Sequence, residues 1–171
     1  MDEQEFDEFY AASSRRLTTQ VYAMIGDFDE ASECVQEAFA RAWSHRRKLD
    51  HTHHPEAWVR TTAHRLAISR WRRRRRDRAA PDRAVGPQVS TPAVDEAHVA
   101  LVTALGELPD AQRQALVLHH IADLPVRQVA DEVGVPEGTI KARLSRGRTA
   151  LAALLADDDA PGGLEGGVRH V

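Results

Sequence analysis

The segment VRQVADEVGVPEGTIKARL, residues 126–144, is economical enough to read as two short helices around a tight turn. Val126 to Val133 carries apolar side chains three and four apart, and Gly134 can end that helix by adopting positive φ. Pro136 opens the next helix, where a missing N–H costs little, and Ala130 is small where two helices must cross closely. Ile140 and Leu144 face back onto the first helix. The spacing is that of a helix-turn-helix. Beyond the turn, Thr139, Lys141, Arg143, Ser145, Arg146 and Arg148 supply four cations and two hydroxyls, with no acidic residue between Gly138 and Ala156. Arginine and lysine read guanine edges or hold phosphates, so this helix has the chemistry of a major-groove reader. A helical hairpin with a merely solvated basic face is the plainer alternative.

Outward from this motif, each segment reads as helix or as connection. Residues 94–105 and 110–122 should be helices, the second opened by Pro109, and Pro125 should open the helix that begins at Val126. Residues 79–94 hold Pro81, Gly86, Pro87 and Pro92 with no aromatic side chain, which reads as a flexible linker. Its 16 residues span at most about 54 Å at about 3.4 Å each. Before it, Phe6, Phe9, Leu17, Val21 and Ile25 allow one amphipathic helix ending at Gly26. Asp29 is the expected cap of a second, running to about Arg47, in which Ala31, Val35, Ala38, Phe39, Ala42 and Trp43 form a stripe to be buried. The opposite face presents Glu33, Gln36, Glu37 and Arg41. A third helix should start at Pro55 and continue through Trp58, Val59, Ala63, Leu66, Ala67 and Trp71 to Arg76. Nothing alternates in the manner of a strand. The expected fold is all-α: two small helical domains, 1–78 and 95–156, joined by the linker 79–94 and followed by a polar, glycine-rich tail, 157–171, expected to be disordered.

The 171 residues suit one ordinary domain or two small ones, and 42% hydrophobic, 29% charged and only 5% aromatic side chains favour a helical globular chain. A formal net charge of -3 conceals three blocks. Residues 1–40 hold 10 acidic against 2 basic side chains, residues 41–78 hold 3 against 13, and residues 79–171 hold 13 against 8. A basic block beside an acidic one points to one surface for a polyanion and another for a basic partner. Seven of the nine residues 70–78 are arginine, a polyanion-seeking run that could also be a solvated anchor. Trp58 and Trp71 flank Arg60, Thr61, His64, Arg65 and Arg70. Aromatic faces among cations can stack unpaired bases, while a tryptophan on a helix can equally be core.

Other chemistries find no support. The single cysteine, Cys34, excludes an intramolecular disulfide and a multi-thiolate zinc site, and fits a reducing, cytoplasmic compartment. The longest apolar run, 150–156, is far short of the roughly 20 residues that span a bilayer, so no membrane segment is expected. His51, His53, His54, His119 and His120 have no carboxylate or thiolate at a ligand-like helical spacing, so no metal site is expected. No phosphate loop and no nucleophile–base set is present, so neither a cofactor nor catalysis is expected.

Taken in order, DEASECVQEAFARAW (29–43), HPEAWVRTTAHRLAISRWRRRRR (54–76), the proline-rich linker and LPDAQRQALVLHHIADLPVRQVADEVGVPEGTIKARLSRGRTAL (108–151) resemble the extracytoplasmic-function sigma factors of the sigma-70 family. The likeness covers about residues 6–155. It implies a non-catalytic initiation subunit of bacterial RNA polymerase with region 2 and region 4 domains only, acting in the cytoplasm on the nucleoid. It implies that Glu33, Gln36 and Glu37 meet the clamp coiled coil of the polymerase core, with Phe39 and Trp43 supporting their helix, and that region 4 meets the flap. Trp58, Arg60, Thr61, His64, Arg65, Arg70 and Trp71 would capture and melt the -10 promoter DNA strand. Thr139, Lys141, Arg143, Ser145, Arg146 and Arg148 would read the -35 element, and an anti-sigma factor is a further implied partner. His64 stands where many relatives have an asparagine nearby, a departure at the expected base contact. Two other readings remain: a stand-alone helix-turn-helix regulator, which explains the second domain only, and a metal-dependent nucleic-acid enzyme using the histidines.

Overall fold

The computed structural model describes residues 1–49, 54–78 and 96–158. Among them lie eight α-helices and one π-helical turn. The N-terminal set is α1 (Glu3–Ile25), α2 (Phe28–Ser44), the single turn α3 (Arg46–Leu49) and α4 (Pro55–Arg78). The C-terminal set is α5 (Glu96–Glu107), α6 (Asp110–Leu116), α7 (Val126–Val133) and α8 (Glu137–Asp158), with the π turn Val117–Ile121 continuing α6. The expected linker 79–94, the histidines His51 and His53, and tail residues 159–171 lie outside the described residues.

Local chemistry accounts for the helix ends. Asp2 and Glu5 cap α1 reciprocally: the Glu5 N–H donates to Asp2 Oδ1 at 2.9 Å and the Asp2 N–H to Glu5 Oε2 at 2.8 Å. The cap of α2 is Asp27, not the expected Asp29; its Oδ1 accepts from the Glu30 N–H at 3.0 Å. Asp27 precedes the first helical turn with extended backbone, which lets its carboxylate fold onto an orphan N–H, whereas Asp29 is already inside the helix. Pro125 and Pro136 sit just before α7 and α8, where their carbonyls accept the first helical bonds from Val129 at 3.0 Å and Thr139 at 2.9 Å.

The expected continuous helix over 110–122 widens instead into a π turn at 117–121. The Ala122 N–H reaches back to the Val117 carbonyl at 2.9 Å, one residue further than an α-helix allows. Two tertiary demands hold the turn open. Consecutive Val117 and Leu118 are both buried, and His119 Nδ1 donates to the Leu124 carbonyl at 2.7 Å, closing a loop in which Asp123 takes φ 54°.

Helices α1, α2 and α4 pack around Leu17, Val21, Ala31, Cys34, Val35, Ala38, Val59 and Ala63, all essentially sealed from water. Small residues on α2 and α4 let the axes approach, while Phe6, Phe9, Tyr10, Phe39 and Trp43 close one end with edge-on or tilted ring contacts, centroids 4.8 to 6.1 Å apart. The second core joins Leu105, Leu116, Leu118, Val129, Ile140 and Leu144 from α5 to α8. Truncating a sealed side chain such as Leu17 to alanine costs roughly 2–5 kcal/mol. The two domains also touch: α1 packs on α5 and on the π turn, and Tyr22 stacks on His98 with ring centroids 5.8 Å apart.

Candidate nucleic-acid and partner interfaces

The helix-turn-helix forms as its spacing requires. Gly134 takes φ 75°, and its N–H and that of Val135 both donate to the Ala130 carbonyl, at 2.8 and 3.1 Å. Ile140, Leu144 and Gly147 turn inward. Gly147 is a close approach: a Cβ there would stand 3.0 Å from Leu116 Cδ1. Lys141, Ser145, Arg146 and Arg148 are thereby exposed, with Thr139 and Arg143 half-buried at the margin. None of the four cations has an ion-pair partner among the described residues.

The acidic face of α2 is differently arranged. Glu33 and Gln36 are exposed, but Glu37 is half-covered by Arg70, which pairs with it and with Glu30 at 3.0 Å and Glu33 at 3.5 Å. Arg74 continues the seam to Asp27 at 3.0 Å and Glu30 at 3.2 Å. The hydrogen bond that Arg70 donates to the Glu30 carboxylate holds the guanidinium charged more firmly than usual. Expected for the -10 strand, Arg70 thus bridges its own helix to the expected docking face. Glu30, which charge patterning alone did not single out, is the shared acceptor for both arginines. Cys34 behind it is sealed, and burial pushes its thiol up to about 11, which leaves it without thiolate reactivity at neutral pH.

The remaining expected -10 residues of α4 divide between two surroundings. Arg65 is exposed, and with Ile68, Ser69, Trp71, Arg72 and Arg76 it lines an open groove of about 730 Å³. Trp58 and Thr61 are half-buried, Trp58 lying 6.1 Å from the His45 ring. Arg60 and Trp71 meet the C-terminal domain, Trp71 also bordering that groove. Arg60 is paired with Glu132 of α7, and Trp71 lies beneath the Arg113 guanidinium of α6, 4.3 Å from the ring centroid. His64 is 3% exposed. Its Nε2 has no hydrogen-bond partner among the described residues, and burial first, then the Arg60 charge, lowers its pKa to about 4. It is a neutral interior imidazole rather than a surface base reader. Among the described residues no group of histidine, cysteine and carboxylate side chains could hold a metal ion, and no helix is long and apolar enough to cross a membrane.

Sequence comparison matches residues 9–77 to Sigma-70 region 2 and residues 98–151 to Sigma-70, region 4. The chain is 32% identical over 142 residues to the ECF RNA polymerase sigma factor SigL of Mycobacterium tuberculosis, covering 78% of this chain and 79% of that protein. It is 28% identical over 171 residues to SigW of Bacillus subtilis, covering 91% of each. Its fold is similar to that of the sigma factor RpoE in complex with the anti-sigma factor NepR from Bartonella quintana, with TM-score 0.76, 24% identity, and 91% and 99% of the two chains covered. It is likewise similar to CnrH in complex with the cytosolic domain of CnrY, with TM-score 0.70, 20% identity, and 92% and 91% covered. At those identities the structural likeness is one of fold. Both domains are therefore of the sigma-70 class of transcription-initiation factors. The chain belongs to the extracytoplasmic-function (ECF) sigma factors, alternative subunits that direct RNA polymerase to initiate transcription.

Proposed function

We propose a division of labour among the residues. Lys141, Ser145 and Arg146, with Thr139, read base edges of the -35 element, while Arg143 and Arg148 hold its phosphates. Trp58, Thr61, Arg65 and Trp71, with Arg60 and Arg70, engage the -10 strand, and His64 supports α4 from within. Glu33, Gln36 and Glu37 dock on the clamp coiled coil of the polymerase core, and the C-terminal domain meets the flap. The chain works by binding, in the cytoplasm on the nucleoid, and leaves nucleotide addition to the core. An anti-sigma factor as regulator fits the same reading, since the structurally similar RpoE has been captured with the anti-sigma factor NepR.

The carrying observation is the cationic face of α8, with Lys141, Arg146 and Arg148 exposed and no acidic partner on them among the described residues. Core polymerase reconstituted with this chain is tested on a promoter library randomised at both elements, and the start sites are sequenced. Initiation at a defined -10/-35 pair is expected. Replacing Glu33→Arg together with Gln36→Ala, both exposed, should abolish core association in a protein that remains helical. Unchanged core affinity would remove the docking assignment, and random start sites would remove promoter reading.

A further inference from the structure

The π turn at 117–121 places a histidine pair beside the basic face of α8. Consecutive residues on an α-helix do not face one another, yet in the widened turn the rings of His119 and His120 meet edge-on with centroids 4.7 Å apart. His119 is fixed, because its Nδ1 donates to the Leu124 carbonyl at 2.7 Å. His120 is exposed and, among the described residues, takes part in no hydrogen bond or ion pair. Helix α6, which the turn continues, presses on α8 at Gly147, where a Cβ would meet both Leu116 and Gln112. The next residue along α8 is Arg148, and its charge reaches His120. Desolvation first, then His119, then Arg148 lower the His120 pKa from its ordinary value, so the imidazole is neutral at pH 7 in the protein alone. Other charges lie on the elements around the turn. Asp110 and Arg113 of α6 pair with each other, Glu132 of α7 with Arg60, and Arg16 of α1 with Glu56. Arg15 of α1, Arg127 and Asp131 of α7, and Asp123 of the following loop are exposed. None of these is among the charges that shift His120.

A phosphate bound by Arg148 would cancel the repulsion that disfavours the charged ring and add an attraction of its own. We infer that His120 is a further contact to the DNA backbone at the -35 element, sharing a phosphate with Arg148, and that it takes up a proton from solvent as the DNA binds. This rests on the reading of Arg148 as a holder of -35 phosphates. His119, tied to the Leu124 carbonyl, is the wall against which the His120 ring is set. Because the complex then holds one proton more than the free protein, affinity is highest at low pH. It falls as pH rises from the free-state pKa of His120 towards the raised value in the complex. Below both values the ring is charged in either state and the dependence vanishes. Above both it is neutral in either state, and Arg148 holds the phosphate alone.

The test measures binding of the full chain to a rhodamine-labelled random-sequence duplex by anisotropy at pH 6, 7 and 8 and constant low salt, since a backbone contact does not depend on sequence. Parent affinity should fall by roughly three- to tenfold across that range, about tenfold being the limit for each unit by which the phosphate raises the pKa. His120→Gln should lose that dependence, and His120→Arg, which keeps its charge, should bind tightly at every pH. Both replace an exposed side chain and are checked as helical by circular dichroism. The other histidines titrate in parent and variants alike and cancel in the difference. A second readout is the His120 ring proton in NMR spectra, whose titration midpoint should move up when the duplex is added. Equal pH dependence in parent and His120→Gln would overturn the proposal, and so would a midpoint that DNA leaves unmoved. The phosphate role of Arg148 is tested apart, by the salt slope of Arg148→Ala at pH 8. An unchanged slope removes Arg148 from the phosphates and with it the sharing, while a pH dependence lost only in His120→Gln still establishes the contact of His120 itself.

Discussion

Protonating His64 is a perturbation whose size can be worked from the structure. The imidazole is sealed inside the fold with an unpartnered Nε2 and lies beside the Arg60 charge, and these hold its pKa at about 4 against an ordinary 6.5. The unfolded chain therefore binds more protons than the folded chain between those values, so stability is intact above about pH 7 and falls as pH drops through 6.5. At about 1.4 kcal/mol per pH unit the full penalty is about 3 kcal/mol, reached near pH 4. About 2 kcal/mol of it is already lost at pH 5. The protein's three tryptophans, Trp43, Trp58 and Trp71, all lie in the domain that contains His64. Urea unfolding followed by tryptophan fluorescence at pH 7 and pH 5 thus reports on the right core. His64→Leu should lose about 2 kcal/mol less than the parent over that interval. Carboxylates titrate in both proteins and cancel in the difference. Parallel losses in parent and variant would show that His64 is not the buried neutral base described, and would refute the reasoning.

Arg146→Ala should relax the preferred -35 sequence at a cost of about 1–3 kcal/mol on the best site. Arg148→Ala should weaken all sites alike and lower the salt slope by about one. Binding of both variants to a randomised -35 library at two salt concentrations separates the roles, and an unchanged preference profile for Arg146→Ala would exclude base reading by that residue. Gly147→Ala places a methyl 3.0 Å from Leu116 Cδ1, so overpacking should cost about 1–3 kcal/mol in thermal or urea unfolding of the C-terminal domain. A neutral effect would mean that Leu116 yields freely.

The helices were legible because each is encoded within a few residues. The apolar stripe of α2, Pro55 at the start of α4, and Gly134 between α7 and α8 are local signals, and all three features stand where spacing places them. The misplaced cap at Asp29 was a two-residue error between equivalent aspartates, decided by which one precedes the first turn. The π turn depends on the burial of Val117 and Leu118 and on the His119–Leu124 bond, and so on contacts that periodicity does not contain. Charge patterning found α4 and α8 but treated their arginines alike. Only the tertiary structure shows that Arg70 and Arg74 are spoken for by Asp27 and Glu30, that Arg60 belongs to Glu132, and that His64 lies inside. Residues separated by 72 positions, as Arg60 and Glu132 are, leave no mark on local pattern.

On α8 the residues that anchor the helix and those that face outward are different sets. Ile140, Leu144 and Gly147 press against α6 and α7, while Lys141, Ser145 and Arg146 touch nothing that the fold depends on. Substitutions in the second set leave the packing of the first unchanged. On the proposed reading of α8 as the -35 reader, a lineage that duplicates this gene can therefore drift towards new target sequences one side chain at a time, without passing through unfolded intermediates. On the same proposed reading, those three positions are also where a designer would randomise to retarget it.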